Sequence, residues 1–174
     1  MKYLFWIDME MSGLNHTTDR ILEVALLVTD LSMNIVKEYE AIVYQDQAVL
    51  GAMDEWCTEN HGKSGLTAKV PNGLPEAEVE KQLIKIFQEF SAGERALLAG
   101  NSIGQDRKFI DQWMPKFSAL LHYRMLDVSS FKILFESVYN KKFEKKHKHR
   151  AVDDIIESIN ELKFYMQFIN IAGK

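Results

Sequence analysis

With 174 residues, 47% of them hydrophobic, the chain is long enough for one domain with a real core and too short for two comfortable ones. Its formal net charge of −4 excludes a protein that grips long nucleic acid through many phosphates, which would be basic. The lone Cys57 excludes an intramolecular disulfide and a cysteine-based zinc cluster, and no apolar run approaches the roughly 18–20 residues of a membrane span.

Three apolar segments open the chain, residues 3–9, 21–30 and 35–44. Turn-forming residues at 17–20 and 31–34 separate them, and connections this short favour an antiparallel meander. The apolar part of the first segment is too short for a signal peptide, so a cytoplasmic location is expected. Residues 76–91 place Val79, Leu83, Ile86, Phe87 and Phe90 at helical spacing after Pro75, which suits a helix start. Residues 96–100 read as a short buried strand. Residues 106–114 carry Phe109, Ile110, Trp113 and Met114 on one helical face, and Pro115 ends them. A strand over 123–128 and a helix over 129–139 follow. The last helix, 152–170, carries a long apolar stripe from Val152 through Ile155, Ile159 and Leu162 to Met166. The order of elements predicts one α/β domain, residues 1–174, with a mixed five-stranded sheet flanked by helices.

Acidic side chains recur at the ends of these elements. Asp8 and Glu10 close the first strand, and a spacing of two puts both on one face. An isolated D-x-E of this kind is most often a strand turning into solvent. Asp106 follows the 96–100 strand, where sites of α/β proteins gather, although a helix start also favours an acid there. Asp153 and Asp154 open the last helix, just after His149 in a lysine-rich run, where a solvated His is the plainer reading. Together, Asp8, Glu10, Asp106, Asp154 and a nearby His form an oxygen-rich set suited to Mg²⁺ or Mn²⁺ rather than zinc. Two such ions about 3.5–4 Å apart serve the hydrolysis of a phosphodiester. A histidine titrating near neutrality suits the general base that chemistry needs.

In that order and spacing, Asp8-x-Glu10, Asp106 and His149-x-Ala151-x-x-Asp154 resemble the three motifs of the DEDDh exonucleases, a branch of the RNase H-like fold. Within that branch the chain is similar to the oligoribonuclease family nearly end to end. The segments carrying the likeness are DMEMSGL (8–14), DRILEVALLVTD (19–30), MDEW (53–56), SGLT (64–67), GNSIGQDRKF (100–109), HYRMLDVSS (122–130) and AVDDI (151–155). The resemblance implies a 3′→5′ exoribonuclease that trims very short RNA, dinucleotides especially, to 5′-mononucleotides.

It further implies that Asp8, Glu10, Asp106 and Asp154 ligate two divalent ions, Mg²⁺ or Mn²⁺, and that His149 is the general base. His149 is selected over His147, and Asp154 over Asp153. Leu14 would wedge between two bases and Trp56 would stack on the 3′ base; the plainer alternatives are a loop residue touching the core and a helix anchor. Arg124, Ser102 and Ser129 match positions meeting the phosphate and the 3′ nucleotide, with His61 and Gln105 as minor contacts. Tyr123 matches a tyrosine supplied by a second subunit, which implies a homodimer. For Tyr123 and Arg124, an edge-strand pair is the alternative. The run at 141–148 is more basic than the family pattern, and a solvated surface is its default reading. Two other functions remain open: the same chemistry on DNA ends or tRNA tails, and an inactive nuclease fold serving as a binding module. Compactness, acidity and HYRMLDVSS count against the first, and the intact acids and His against the second.

Overall fold

In the computed structural model, which describes residues 2–144 and 151–169, the three opening segments pair as an antiparallel meander. They are β1 (Tyr3–Met11), β2 (Ile21–Asp30) and β3 (Ile35–Ile42). Short helices α1 (Gln47–Gly51), α2 (Glu55–Lys63) and α3 (Leu66–Lys69) follow, with one 3₁₀ turn (Val70–Asn72). Then come α4 (Glu76–Phe90), β4 (Ala96–Gly100), α5 (Gly104–Trp113), α6 (Pro115–Ser118), β5 (Leu121–Asp127), α7 (Val128–Tyr139) and α8 (Ala151–Met166). The sheet runs β3-β2-β1-β4-β5, with β4 parallel to both β1 and β5. This is the mixed five-stranded sheet that the order of elements predicts.

β2 is buried along nearly its whole length because both faces of the sheet are covered, which is why ILEVALLVT shows almost no alternation. β3 is an edge strand and exposes alternating polar positions, including Glu38 and Glu40, that discourage pairing with another sheet. One face, with Phe5, Ile7, Met9, Val24 and Leu26, packs on Val79, Leu83 and Phe87 of α4 and Phe109 and Ile110 of α5. The other, with Leu4, Trp6, Ala25 and Leu27, receives Val128 of α7 and Ile155, Ile159 and Leu162 of α8. Fully burying each of these aliphatic side chains contributes about 1.5–3 kcal/mol. Trp6 has no exposed surface and donates its indole N–H to the Thr29 hydroxyl at 3.0 Å, so its one polar atom is satisfied.

Several boundaries differ from the sequence-based expectation. β1 continues to Met11 because β2 keeps pairing with it, Glu10 opposite Glu23 and Met11 opposite Ile21. Asp8 and Glu10 therefore sit inside a paired strand. β3 stops at Ile42, after which Val43 bridges to Leu74. β5 starts two residues earlier than expected, pairing Leu121 with Ala96. Pro115 ends α5 but also opens α6, where its missing N–H costs nothing. α8 ends at Met166, short of the expected Asn170, which lies outside the described residues. No helix among the described residues is long and apolar enough to cross a membrane.

Candidate active site

Asp8 and Glu10 project from the same side of β1 as Leu4 and Trp6, the side that α8 covers. Asp154 stands in the first turn of α8. One carboxylate oxygen from each of Asp8, Glu10 and Asp154 lies within 4.8 Å of the other two. Asp153 is not a member of this group. Three carboxylates held so close repel unless a cation shares them. An oxygen-only donor set fits a hard divalent ion, so the residues present suit such a metal. Glu23, opposite Glu10 in the β1–β2 register and almost fully buried, brings a further carboxylate to this face.

Asp106 arrives from the other layer. It sits in the first turn of α5, and its Oδ1 accepts the Met9 backbone N–H at 3.0 Å. It lies outside the three-carboxylate group. Burial raises its carboxyl from the ordinary 3.8 to about 7, with Glu10 and Asp127 adding to the rise and backbone N–H donors opposing it. His149 falls outside the described residues, as does His147.

A cavity of about 450 Å³ opens beside Glu10, and Leu14, Trp56 and His61 are among its lining residues. Leu14 is 81% exposed and Trp56 66%, an uncommon state for two large apolar side chains facing one cavity. Local structure holds both there. The Asp54 carboxylate caps α2 by accepting the Cys57 N–H at 2.7 Å, which fixes Trp56 in the first turn. The loop bearing Leu14 is closed by the Ser12 N–H to the Arg20 carbonyl and by the Asn15 N–H to Asp19 Oδ2. At Gly13 a Cβ would overlap the Asp19 carboxylate, so a larger residue there must displace the side chain that closes the loop.

The remaining sequence candidates divide. Gln105 donates its amide to the Leu14 carbonyl at 2.7 Å and so braces the Leu14 loop. His61 is buried at the cavity floor, with Nε2 2.8 Å from the Met11 carbonyl and Nδ1 3.9 Å from Glu10 Oε2. A carbonyl only accepts, so Nε2 carries the proton and the ring braces the end of β1. Ser102 takes a left-handed conformation, φ 52°, and its N–H donates to Asp127 Oδ1 at 2.9 Å. The same oxygen accepts the N–H and the hydroxyl of Ser129. Asp127 thus joins the two serines across the ends of β4 and β5, a role that the sequence reading passed over. Tyr123 and Arg124 lie instead on the open edge strand β5. The Tyr123 ring stacks on His122, and the guanidinium lies 5.3 Å from the Tyr123 ring centre.

The family model for exonucleases of the RNase_T type matches residues 5–162 of this chain. The chain is 44% identical over 175 residues to the oligoribonuclease of Neisseria meningitidis (strain FAM18), covering 98% of this chain and 94% of that one. It is also 44% identical to the oligoribonuclease of Francisella tularensis subsp. tularensis (strain WY96-3418), with 94% of each covered. Among solved structures it resembles exonuclease I from Methylocaldum szegediense, at a TM-score of 0.75 and 16% identity over 97% of this chain. The zinc-bound complex of E. coli exonuclease I with single-stranded DNA gives 0.77 and 12%, over 97% of this chain. The chain spans about two fifths of the length of those exonuclease I chains, and at such identities the likeness establishes the fold alone, an RNase H-like one. Near-complete coverage by relatives 44% identical establishes more: the chain belongs to the oligoribonuclease family of exonucleases.

Proposed function

We propose that this protein hydrolyses very short RNA from the 3′ end, dinucleotides above all, releasing 5′-mononucleotides. The observation that carries the reading is the meeting of Asp8, Glu10 and Asp154 beside a cavity flanked by exposed Leu14 and Trp56. Asp8, Glu10, Asp106 and Asp154 would hold two divalent ions, Mg²⁺ or Mn²⁺. When bound, such ions supply positive charge that lowers the cost of developing anionic oxygen on the phosphate.

The chain's own residues do the rest. Leu14 wedges between the two bases and Trp56 stacks on the 3′ base, which together fix the phosphodiester against the carboxylates. Stacking is worth about 1–3 kcal/mol per base, a large share of the affinity when only two bases are bound. The Ser102 and Ser129 pair, aligned by Asp127, meets the 3′ nucleotide. His149, whose assignment rests on motif order and spacing, takes the proton of the attacking water. Arg124 caps the 5′ phosphate through paired N–H bonds, which a longer chain would forfeit.

Tyr123 acts from a second subunit in this reading. Support comes from the apolar side chains that β5 and α7 leave exposed, Tyr123 and Met125 on the one and Ile133 and Val138 on the other, which suit burial in a homodimer. The acidic total also suits a short substrate, and a cytoplasmic location belongs to the same proposal. The test is a digestion series by oligomer length with the metal varied. Hydrolysis dependent on Mg²⁺ or Mn²⁺ and fastest on dinucleotides is expected. Equal or faster turnover of long RNA, or of single-stranded DNA, would reverse the substrate assignment.

A further inference from the structure

α8 carries Asp154, and its seat on the sheet decides whether that carboxylate meets Asp8 and Glu10. The helix binds the sheet mainly through Ile155, Ile159 and Leu162, an apolar stripe at i, i+4, i+7. Apolar contact is non-directional, so this stripe resists lifting of the helix far more than sliding along its axis. One helical turn is about 5.4 Å. The three carboxylates fall within 4.8 Å of one another, so a slip of one turn would remove Asp154 from the group. Something must fix the axial register.

A polar stripe runs beside the apolar one. Asp154, Ser158, Glu161 and Tyr165 follow one another at i, i+4, i+7 and i+11, and the last three are buried. Glu161 is 1% exposed. Its Oε2 accepts the Asn101 amide at 2.8 Å, and its Oε1 accepts the Tyr165 hydroxyl at 3.2 Å. The same Asn101 amide nitrogen lies 3.3 Å from the Ser158 hydroxyl, which in turn donates to the Asp154 carbonyl at 2.9 Å. Asn101 is the first residue after β4 and the neighbour of Ser102, and Gly100 before it is packed against the Ile7 carbonyl of β1. The Asn101 amide is therefore referenced to the strand that carries Asp8 and Glu10. Buried polar pairs are the best-attested device for fixing the register of an otherwise apolar contact.

We propose that Glu161, through Asn101 and Ser158, is a positioning residue that pins the axial register of α8 and so sets Asp154 at the height of Asp8 and Glu10. This rests on the metal-binding reading of those three acids. Unlike a residue that merely adds stability, the pin controls metal affinity in protein that is fully folded.

The test is calorimetric titration of Mn²⁺ into the full chain, with thermal melting and circular dichroism to confirm folding. Glu161→Leu keeps the bulk and removes both acceptors; it should weaken Mn²⁺ binding at least tenfold while the protein remains folded. Glu161→Gln keeps an acceptor for the Asn101 amide and should stay within about threefold of wild type. Folded Glu161→Leu protein with wild-type Mn²⁺ affinity overturns the proposal. Should that variant not fold, Asn101→Ala reads the same contact from the other side. Tenfold weaker binding then supports the pin, and unaltered binding overturns it. Wild-type protein that binds no Mn²⁺ would instead sink the metal-site reading on which the pin depends.

Discussion

Replacing Trp56 by alanine separates folding from substrate binding because the indole is 66% exposed yet lines the cavity beside Glu10. Little buried area is lost, so unfolding free energy should change by less than about 0.5 kcal/mol, as for an ordinary surface substitution. A stacked base, by contrast, is worth about 1–3 kcal/mol. That loss converts to a roughly 5- to 150-fold weaker dissociation constant at about 1.4 kcal/mol per factor of ten. The assay is calorimetric titration with a 5′-phosphorylated dinucleotide carrying a non-hydrolysable linkage, alongside denaturant unfolding of the same preparations. Trp56→Phe should retain most of the affinity, since a smaller aromatic face still stacks. Wild-type affinity in folded Trp56→Ala protein would refute the placement of the 3′ base, and a collapse of stability would refute the reading of Trp56 as an exposed platform.

Other perturbations follow from the same geometry. Gly13→Ala forces a Cβ into the Asp19 carboxylate that closes the Leu14 loop. Dinucleotide affinity should drop several-fold while the melting temperature changes by only a few degrees, and wild-type affinity would contradict the preorganised loop. Asp106→Asn should stabilise the metal-free protein in EDTA, increasingly as pH rises. The folded carboxyl titrates near 7 against 3.8 ordinarily, so the wild type loses stability through that window, by roughly 4 kcal/mol above it, while the amide does not. Parallel pH–stability curves for the two proteins would refute this. Asp127→Ala removes the shared acceptor of the Ser102 N–H and both Ser129 donors, and should raise KM for dinucleotides with the protein still folded; an unchanged KM would show that the serines need no such alignment.

Much of this architecture is legible in the residues. The five strands and the four longer helices declare themselves by period or by dense apolar runs, and the pattern of Ile155, Ile159 and Leu162 places α8 on the sheet correctly. The short helices are not legible in that way. α2 buries only Cys57 and His61 over nine residues, too few to show a period, and only Asp54 before it marks a start. The acids of the candidate site stand out because carboxylates at element ends are conspicuous. Their supports do not stand out, because each joins positions far apart in the chain. Gln105 reaches Leu14 across 91 residues, Asn101 reaches Glu161 across 60, and Ser102 reaches Asp127 across 25. His61 looks like a ligand contact in sequence. Only the fold reveals that the Met11 carbonyl engages its ring.

The proposed hydrolysis requires that Asp8, Glu10, Asp106 and Asp154 share divalent cations. Electron paramagnetic resonance of free Mn²⁺ during titration tests this most directly, because it counts ions bound per chain without any substrate. Two ions per wild-type chain are predicted, with binding reduced at least tenfold in folded Asp8→Asn protein. Absence of Mn²⁺ binding by the wild type, or undiminished binding by Asp8→Asn, would contradict the claim.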